Sequence, residues 1–279
     1  MYMINLQKLS QLLSNTGDMC LKRRAKEIVL AVNPKPTDKV LDAGCGDGFY
    51  LHLLANLTQA SLTGLDDNPK ALDLARNYVS SRKLKLVEGD VLKMPFNNNT
   101  FDKIICSEVL EHLPDDVRGL KEFTRVLKPG GTVAITVPSH NYPFLWDPIN
   151  WTLERIFHTH FTDGFWAGVW NQHRRLYTPQ QLEEVVKKAG LKVITTKCLT
   201  HYGLPFNHFL LNIGYGIRKS SILPKTITEP LNKFSQSQSN QKGIFQIFLN
   251  LVNFIDILND KSFSLNASTV GIYIKAKKV

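Results

Sequence analysis

The sequence predicts an α/β fold, a doubly wound, seven-stranded and mostly parallel sheet carrying helical and aromatic insertions. Three observations carry this. Short apolar runs near 38–42, 61–65, 84–87, 101–106 and 132–137 alternate with helical patterns, as parallel sheets require. The first run continues as Val40-Leu-Asp-Ala-Gly-Cys-Gly-Asp-Gly48, a carboxylate followed by glycines at alternate positions. Such a strand–loop–helix turn builds a nucleotide site at the carboxyl edge of a parallel sheet. The second and third runs also end in carboxylates, Asp66 and Asp90.

Each element has its own justification. Residues 3–15 and 18–32 carry apolar side chains at helical intervals. In the loop after the first strand, a dinucleotide fingerprint would need its third glycine where Phe49 stands. Asp42 precedes the glycines instead, and an acid there repels pyrophosphate but suits a ligand with an ammonium group. Ser61-Leu-Thr-Gly-Leu65 is a short strand closed by Asp66, roughly 20 residues past the loop, where a carboxylate can accept both ribose hydroxyls. Asn68 is placed to cap the next helix, with Pro69 in its first turn. Leu86-Val-Glu-Gly-Asp-Val91 repeats the strand-then-acid pattern, and Phe101–Ser107 is the fourth strand. Thr132–Pro138 is the fifth, Gln180–Ala189 a helix capped by Thr178, Leu191–Lys197 the sixth strand and Val270–Lys275 the last.

Taken together, these motifs resemble the class I S-adenosylmethionine (SAM)-dependent methyltransferases, of the UbiE and UbiG-like type. The resemblance covers about residues 25–200 and 268–279, and implies the Rossmann-like methyltransferase fold, with the last strand antiparallel beside the sixth. It also implies a cofactor set of Asp42, Gly44, Cys45, Gly46, Gly48, Asp66, Asp67, Asp90, Val91 and Ser107. Asp66 would bind the ribose, Asp67 would lie beside the adenine, Asp90 would accept from the adenine amino group, and the Val91 backbone would hold the ring edge. The expected cofactor is SAM, with S-adenosylhomocysteine as product.

Composition agrees with an enzyme of this size. The 279 residues are 43% apolar and 21% charged, enough for one large α/β core with elaborations. Cys20, Cys45, Cys106 and Cys198 are scattered, without disulfide or metal spacing, and Cys45 reads as a packing residue. No signal pattern follows Met1, so a cytoplasmic location is expected. The net charge of +10 is dispersed apart from Lys22-Arg23-Arg24, and there is no recognised RNA-binding motif.

The organisation expected is two helices over the cofactor site (1–33), a SAM-binding core (34–138), an aromatic lid (139–176), more core (177–200), an apolar and basic insertion (201–262) and a last strand (263–279). The lid holds all four tryptophans, Trp146, Trp151, Trp166 and Trp170, with Tyr142, four phenylalanines and four histidines. It leaves the fifth strand at the carboxyl edge, where a long insertion can cover a substrate. An aromatic mini-core is the alternative. In the second insertion, Gly203–Ile217 and Ile244–Leu258 are strongly apolar. Gln246, Asn250, Asn253 and Asp256 would form a narrow polar stripe on a helix. The broad opposite face must bury itself in protein, a partner or a membrane interface. Basic flanks suit an anionic surface, so peripheral membrane contact through 201–262 is expected alongside packing on the core.

Methyl transfer is an in-line displacement that asks the protein for alignment, exclusion of water and removal of a proton where one is lost. Ser107-Glu-Val-Leu-Glu-His-Leu-Pro114 follows the fourth strand. If a helix begins there, Glu108, Glu111 and His112 sit at the mouth of the site. His112 is the first candidate base, with Glu111 and His173 beside it. Glu-x-x-Glu-His also resembles metal-assisted O-methyltransferases of quinone precursors and of small RNA, where these groups hold a divalent ion. No metal is assigned here. Arg174, Arg175 and Tyr177 could grip an anionic group of the substrate or tie the lid to the sheet. The resulting reading is SAM-dependent O-methylation of a small or lipid-like acceptor. The alternatives are a metal-assisted RNA 2′-O-methyltransferase and a non-catalytic SAM-binding subunit.

Overall fold

A computed structural model describes residues 4–14, 16, 18–203, 233–234 and 244–279. The apolar stretch 204–217 and most of the polar stretch 220–242 lie outside the described residues. Seven strands form one sheet: β1 (Lys39–Ala43), β2 (Ser61–Asp66), β3 (Leu84–Glu88), β4 (Phe101–Ser107), β5 (Leu127–Pro138), β6 (Leu191–Cys198) and β7 (Gly271–Lys278), in the order β3-β2-β1-β4-β5-β7-β6. The pairings among β1 to β5 are parallel, and β7 runs antiparallel to both β5 and β6. The sheet is doubly wound as expected, and β5 starts earlier because Leu127 pairs with Phe101 across a register irregularity.

Strand residues alternate between two buried layers, following the period-two geometry of a pleated strand. Ile105 and Ala134 pack with the layer holding α1 (Leu6–Leu12), α2 (Met19–Val32), α3 (Phe49–Leu57) and α4 (Pro69–Tyr78). Ile104, Val133 and Ile135 point the other way, to α5 (Asp116–Val126) and α7 (Pro179–Lys188). Both faces are covered, as a parallel sheet requires. Helix starts follow the sequence: Asn68 caps α4 through Lys70 N with Pro69 in its first turn, and Thr178 and Gln181 close a capping box on α7.

The lid contains the short helix α6 (Pro148–Thr152) and single turns at 153–157 and 165–170. Its organiser is a buried polar pair. The Asp147 carboxylate accepts from Asn150 Nδ2 (2.9 Å) and Val169 N (3.0 Å), and Asn150 donates on to the carbonyls of Trp166 and Ala167. Gly168 has φ +55°, and a Cβ there would fall 1.7 Å from Asp147 Oδ2, so only glycine fits. Tyr142, Val169, Trp170 and Leu176 form a small core with Trp151 against it. Phe144, Leu145, Ile156, Phe157, Phe165 and Trp166 stay exposed. The aromatic run therefore divides between a mini-core and an outward apolar surface.

The helix expected after β4 is not there. Glu108 takes φ +56° and the chain runs through a tight turn, His112 N to Val109 O (3.0 Å), before α5 begins at Asp116. The left-handed residue breaks helical propagation at once, and the turn buries Glu111 completely. In the second insertion, α8 (Ile244–Leu258) is a helix as expected, and no helix among the described residues is long and apolar enough to cross a membrane.

Candidate active site

Strand order reverses between β1 and β4, and a ligand crevice forms there beyond the carboxyl ends of the strands. The glycine loop is hung from β2: Gly44 N and Cys45 N both donate to the Leu65 carbonyl (2.8 and 2.9 Å). Gly44, Gly46 and Gly48 all have positive φ. A Cβ on Gly44 would come within 2.5 Å of Val109 Cγ2, whereas one on Gly46 would meet nothing within 4 Å. The loop main chain is thus packed from below at Gly44 and open at Gly46, the cradle a nucleoside ligand needs. The Cys45 side chain is buried in the core, so its part in a ligand site is through the main chain.

The acids stand at the expected strand ends. Asp66 Oδ2 accepts from Gly46 N (2.7 Å) and Oδ1 from Asn68 N (3.0 Å). A carboxylate accepts about four hydrogen bonds, so capacity for ribose hydroxyls remains. Asp90 Oδ1 accepts from Leu92 N (2.7 Å), and both Asp67 and Asp90 are exposed at the crevice rim, while Val91 is buried. Asp42 is different: it is 1% exposed and its Oδ2 has no hydrogen-bond partner. Burial, with Asp66 and Asp47 adding repulsion, pushes its carboxyl up to about 8. A cation brought to this spot would restore its charge, which fits the ammonium or sulfonium end of SAM.

Ser107 closes the β4 end through a chain of hydroxyls, Tyr50 OH to Ser107 Oγ (2.9 Å) to Thr136 Oγ1 (2.8 Å). Arg24 reaches in from α2 to pair with Glu108. Sequence reasoning missed Tyr50, Thr136 and Arg24. Arg24 was visible only as part of a basic run, and Tyr50 only as the second residue after the glycine loop.

Glu111, His112 and His173 do come together, with one potential ligand atom from each lying within 4.8 Å of the others. The two rings meet edge to face at 4.8 Å. His112 Nδ1 lies 3.0 Å from the Gln172 carbonyl, so Nδ1–H donates there and Nε2 of the neutral ring keeps its lone pair. His112 can therefore accept a proton. Glu111 is fully buried, neither carboxylate oxygen has a hydrogen-bond partner, and burial followed by Glu108 holds it well above the usual carboxylate range. Its Oε1 lies 3.9 Å from His112 Nε2. The same orphaned oxygens would suit a divalent ion together with the two imidazoles, and Glu108, paired with Arg24, stands outside that trio.

Arg174, Arg175 and Tyr177 each bond within the fold. Arg174 Nε donates to the His112 carbonyl (3.0 Å) and Arg175 to the Pro114 carbonyl (3.1 Å). Tyr177 OH donates to Asp116 (2.7 Å), which also faces Arg175 at 3.3 Å. These bonds, made through Arg174 Nε, Arg175 Nη2 and the Tyr177 hydroxyl, tie the return of the lid to the β4 turn.

Comparison with known proteins agrees with this geometry. Residues 41–135 match a family model described as a methyltransferase domain. Across residues 41–135 the chain therefore carries a methyltransferase domain. It is 36% identical over 186 residues to cycloartenol-C-24-methyltransferase 1 of Oryza sativa subsp. japonica, covering 64% of this chain and 51% of that one. It is 37% identical over 113 residues to a demethylmenaquinone methyltransferase of Bacillus cereus (strain AH187), covering 39% and 48%. The chain thus spans about half the length of these relatives. Among solved structures, phosphoethanolamine N-methyltransferase 2 of Haemonchus contortus with S-adenosyl-L-methionine aligns at TM-score 0.56 and 20% identity, covering 91% of this chain and 52% of that one. The [4+2]-cyclase SpnF aligns at 0.58 and 15%, covering 92% and 80%. These likenesses show the same fold, one that hosts more than one chemistry.

Proposed function

We propose that this chain transfers a methyl group from SAM to a lipid-like acceptor, at an oxygen. The observation that carries the reading is the set of acids at the switch point: Asp42 buried without a partner, Asp66 on Gly46 N, and Asp90 at the rim. SAM, when bound, supplies an electrophilic methyl carbon on a positive sulfur. Asp66 and Asp90 would hold the nucleoside, and Asp42 would face the cationic end. Tyr50, Ser107 and Thr136 hold the floor of the crevice in one arrangement. The Nε2 of His112 accepts the proton of the acceptor hydroxyl, a role that requires the neutral ring.

A lipid-like acceptor is supported by two independent lines. The relatives named above act, by their names, on a sterol precursor and on a menaquinone precursor. An apolar cavity of about 380 Å³ also opens between the lid and the second insertion, lined by Phe144, Leu145, Trp146, Tyr202 and Phe263. RNA needs no such cavity, and the exposed lid aromatics favour apolar matter over a phosphate backbone. The choice between oxygen and carbon is tested with a prenylated hydroquinone and its di-O-methyl ether. Oxygen transfer predicts turnover of the first and none of the second. A ring-methylated product from either would assign carbon as the acceptor atom.

A further inference from the structure

We propose that α8 lays its outward apolar face on an anionic lipid bilayer. The helix buries Val252 against the protein and carries further apolar side chains on its outer face. A surface helix normally turns its apolar stripe inward and its polar residues to water. Here apolar side chains stand on the outside as well, while Asn253, itself exposed, accepts from Lys22 Nζ (3.0 Å), and Arg23 pairs with the Asp256 side chain and also bonds its backbone carbonyl. The apolar residues Leu251, Phe254, Ile257 and Leu258 face outward, Phe254 at 66% and Ile257 at 63% exposure. Residues three and four apart share a helix face, so Leu251, Phe254 and Leu258 make one apolar stripe, with Ile257 beside it across the exposed Asn250.

Three features select a bilayer as the occupant. First, α8 contains no lysine or arginine, and its one acid, Asp256, is paired with Arg23, which also holds Asp260 just past the helix end. Second, cations outnumber acids at its end: Arg23, Lys26, Lys197 and Lys261 line a cleft with Glu27 and Asp260. Lysines at the edge of an apolar face meet anionic headgroups favourably, whereas a second copy would bring like charges together. Third, the helix runs into the acceptor-sized cavity. Buried Asn259 accepts from His201 N (2.7 Å) and Tyr202 N (2.8 Å) and donates to the Tyr202 carbonyl (2.9 Å), and His201 and Tyr202 line that cavity. At 15 residues the helix is about 22 Å long, short of a span but suited to lying in the interface plane. A lipid could then pass from the bilayer into the cavity without crossing water.

The test uses the full chain without SAM or acceptor, so it stands or falls apart from the enzymatic reading. Co-sedimentation is measured with phosphatidylcholine vesicles with and without phosphatidylglycerol, for the wild type, the double variant Phe254→Gln/Ile257→Gln, and a control, Leu74→Gln, exposed on α4. Circular dichroism confirms that each is folded. The wild type and the control should sediment with the anionic vesicles, and the double variant should partition roughly tenfold or more weakly. Equal sedimentation of double variant and wild type would overturn the proposal, as would a wild type that stays in solution. A dimer in light scattering that the double variant dissociates would assign the face to a second copy instead.

Discussion

Replacing Asp42 by asparagine separates the burden this acid places on the fold from its service to the ligand. Asp42 is buried, Oδ2 has no partner, and its carboxyl titrates at about 8 rather than 3.8. Below pH 3.8 the group is protonated in folded and unfolded chains alike and contributes nothing. Between 3.8 and about 8 the unfolded chain releases the proton and the folded chain keeps it, so stability falls as pH rises; above that window it is level. One pKa unit corresponds to about 1.4 kcal/mol. The ceiling is therefore about 6 kcal/mol, which relaxation and water entry reduce to the order of 2–3 kcal/mol. Asparagine carries no titrating proton. The wild type minus the variant should therefore lose about 1.5–2 kcal/mol between pH 5 and pH 8 in urea unfolding followed by circular dichroism. Comparing slopes cancels the fixed effect of the new amide. The variant should also bind SAM about tenfold more weakly at pH 7.5, since it lacks the charge that a cationic ligand calls up. Parallel pH profiles for the two proteins would refute the placement of Asp42 as a strained, buried acid.

Asp66→Ala removes the acceptor for Gly46 N and Asn68 N together with the ribose contact, and should raise the SAM dissociation constant about a hundredfold in calorimetry while the chain stays folded; retained affinity would sink the ribose assignment. His112→Ala should lower kcat by about 10²–10⁴ with SAM affinity unchanged, and His173→Ala by less. EDTA should leave the wild-type rate alone, and a rate abolished by EDTA and restored by magnesium would move Glu111, His112 and His173 to a metal site. Gly168→Ala forces a Cβ onto the Asp147 carboxylate, and should raise KM for an apolar acceptor without changing SAM binding. A KM equal to the wild type's would show that the lid does not meet the acceptor.

The cofactor half of the site was legible in the sequence because its signals are local. Asp42 and Asp66 lie at the ends of apolar strands and Asp90 two residues past one, and the sheet register brings them to one edge. The same locality placed the caps at Asn68 and Thr178. Where tertiary contacts decide, the sequence was silent or misleading. Ser107–Pro114 has helical composition, yet Glu108 adopts a left-handed backbone and is held by Arg24 from a distant helix. Arg174, Arg175 and Tyr177 have the residue types of an anion site, yet their partners are carbonyls and Asp116 supplied by the β4 turn and α5. The stripe of α8 was visible, but its anchoring was not: only the fold brings Lys22 and Arg23 to Asn253 and Asp256.

The central claim, SAM-dependent transfer to a lipid-like acceptor, is tested most directly with SAM labelled in its methyl group, the purified chain and whole extract of the source cell. The label is then partitioned between organic solvent, nucleic acid and aqueous small molecules. Enzyme-dependent label in the organic phase, lost in Asp66→Ala and reduced in His112→Ala, is the predicted result. Label in RNA alone, or none in any fraction while SAM still binds, would contradict it.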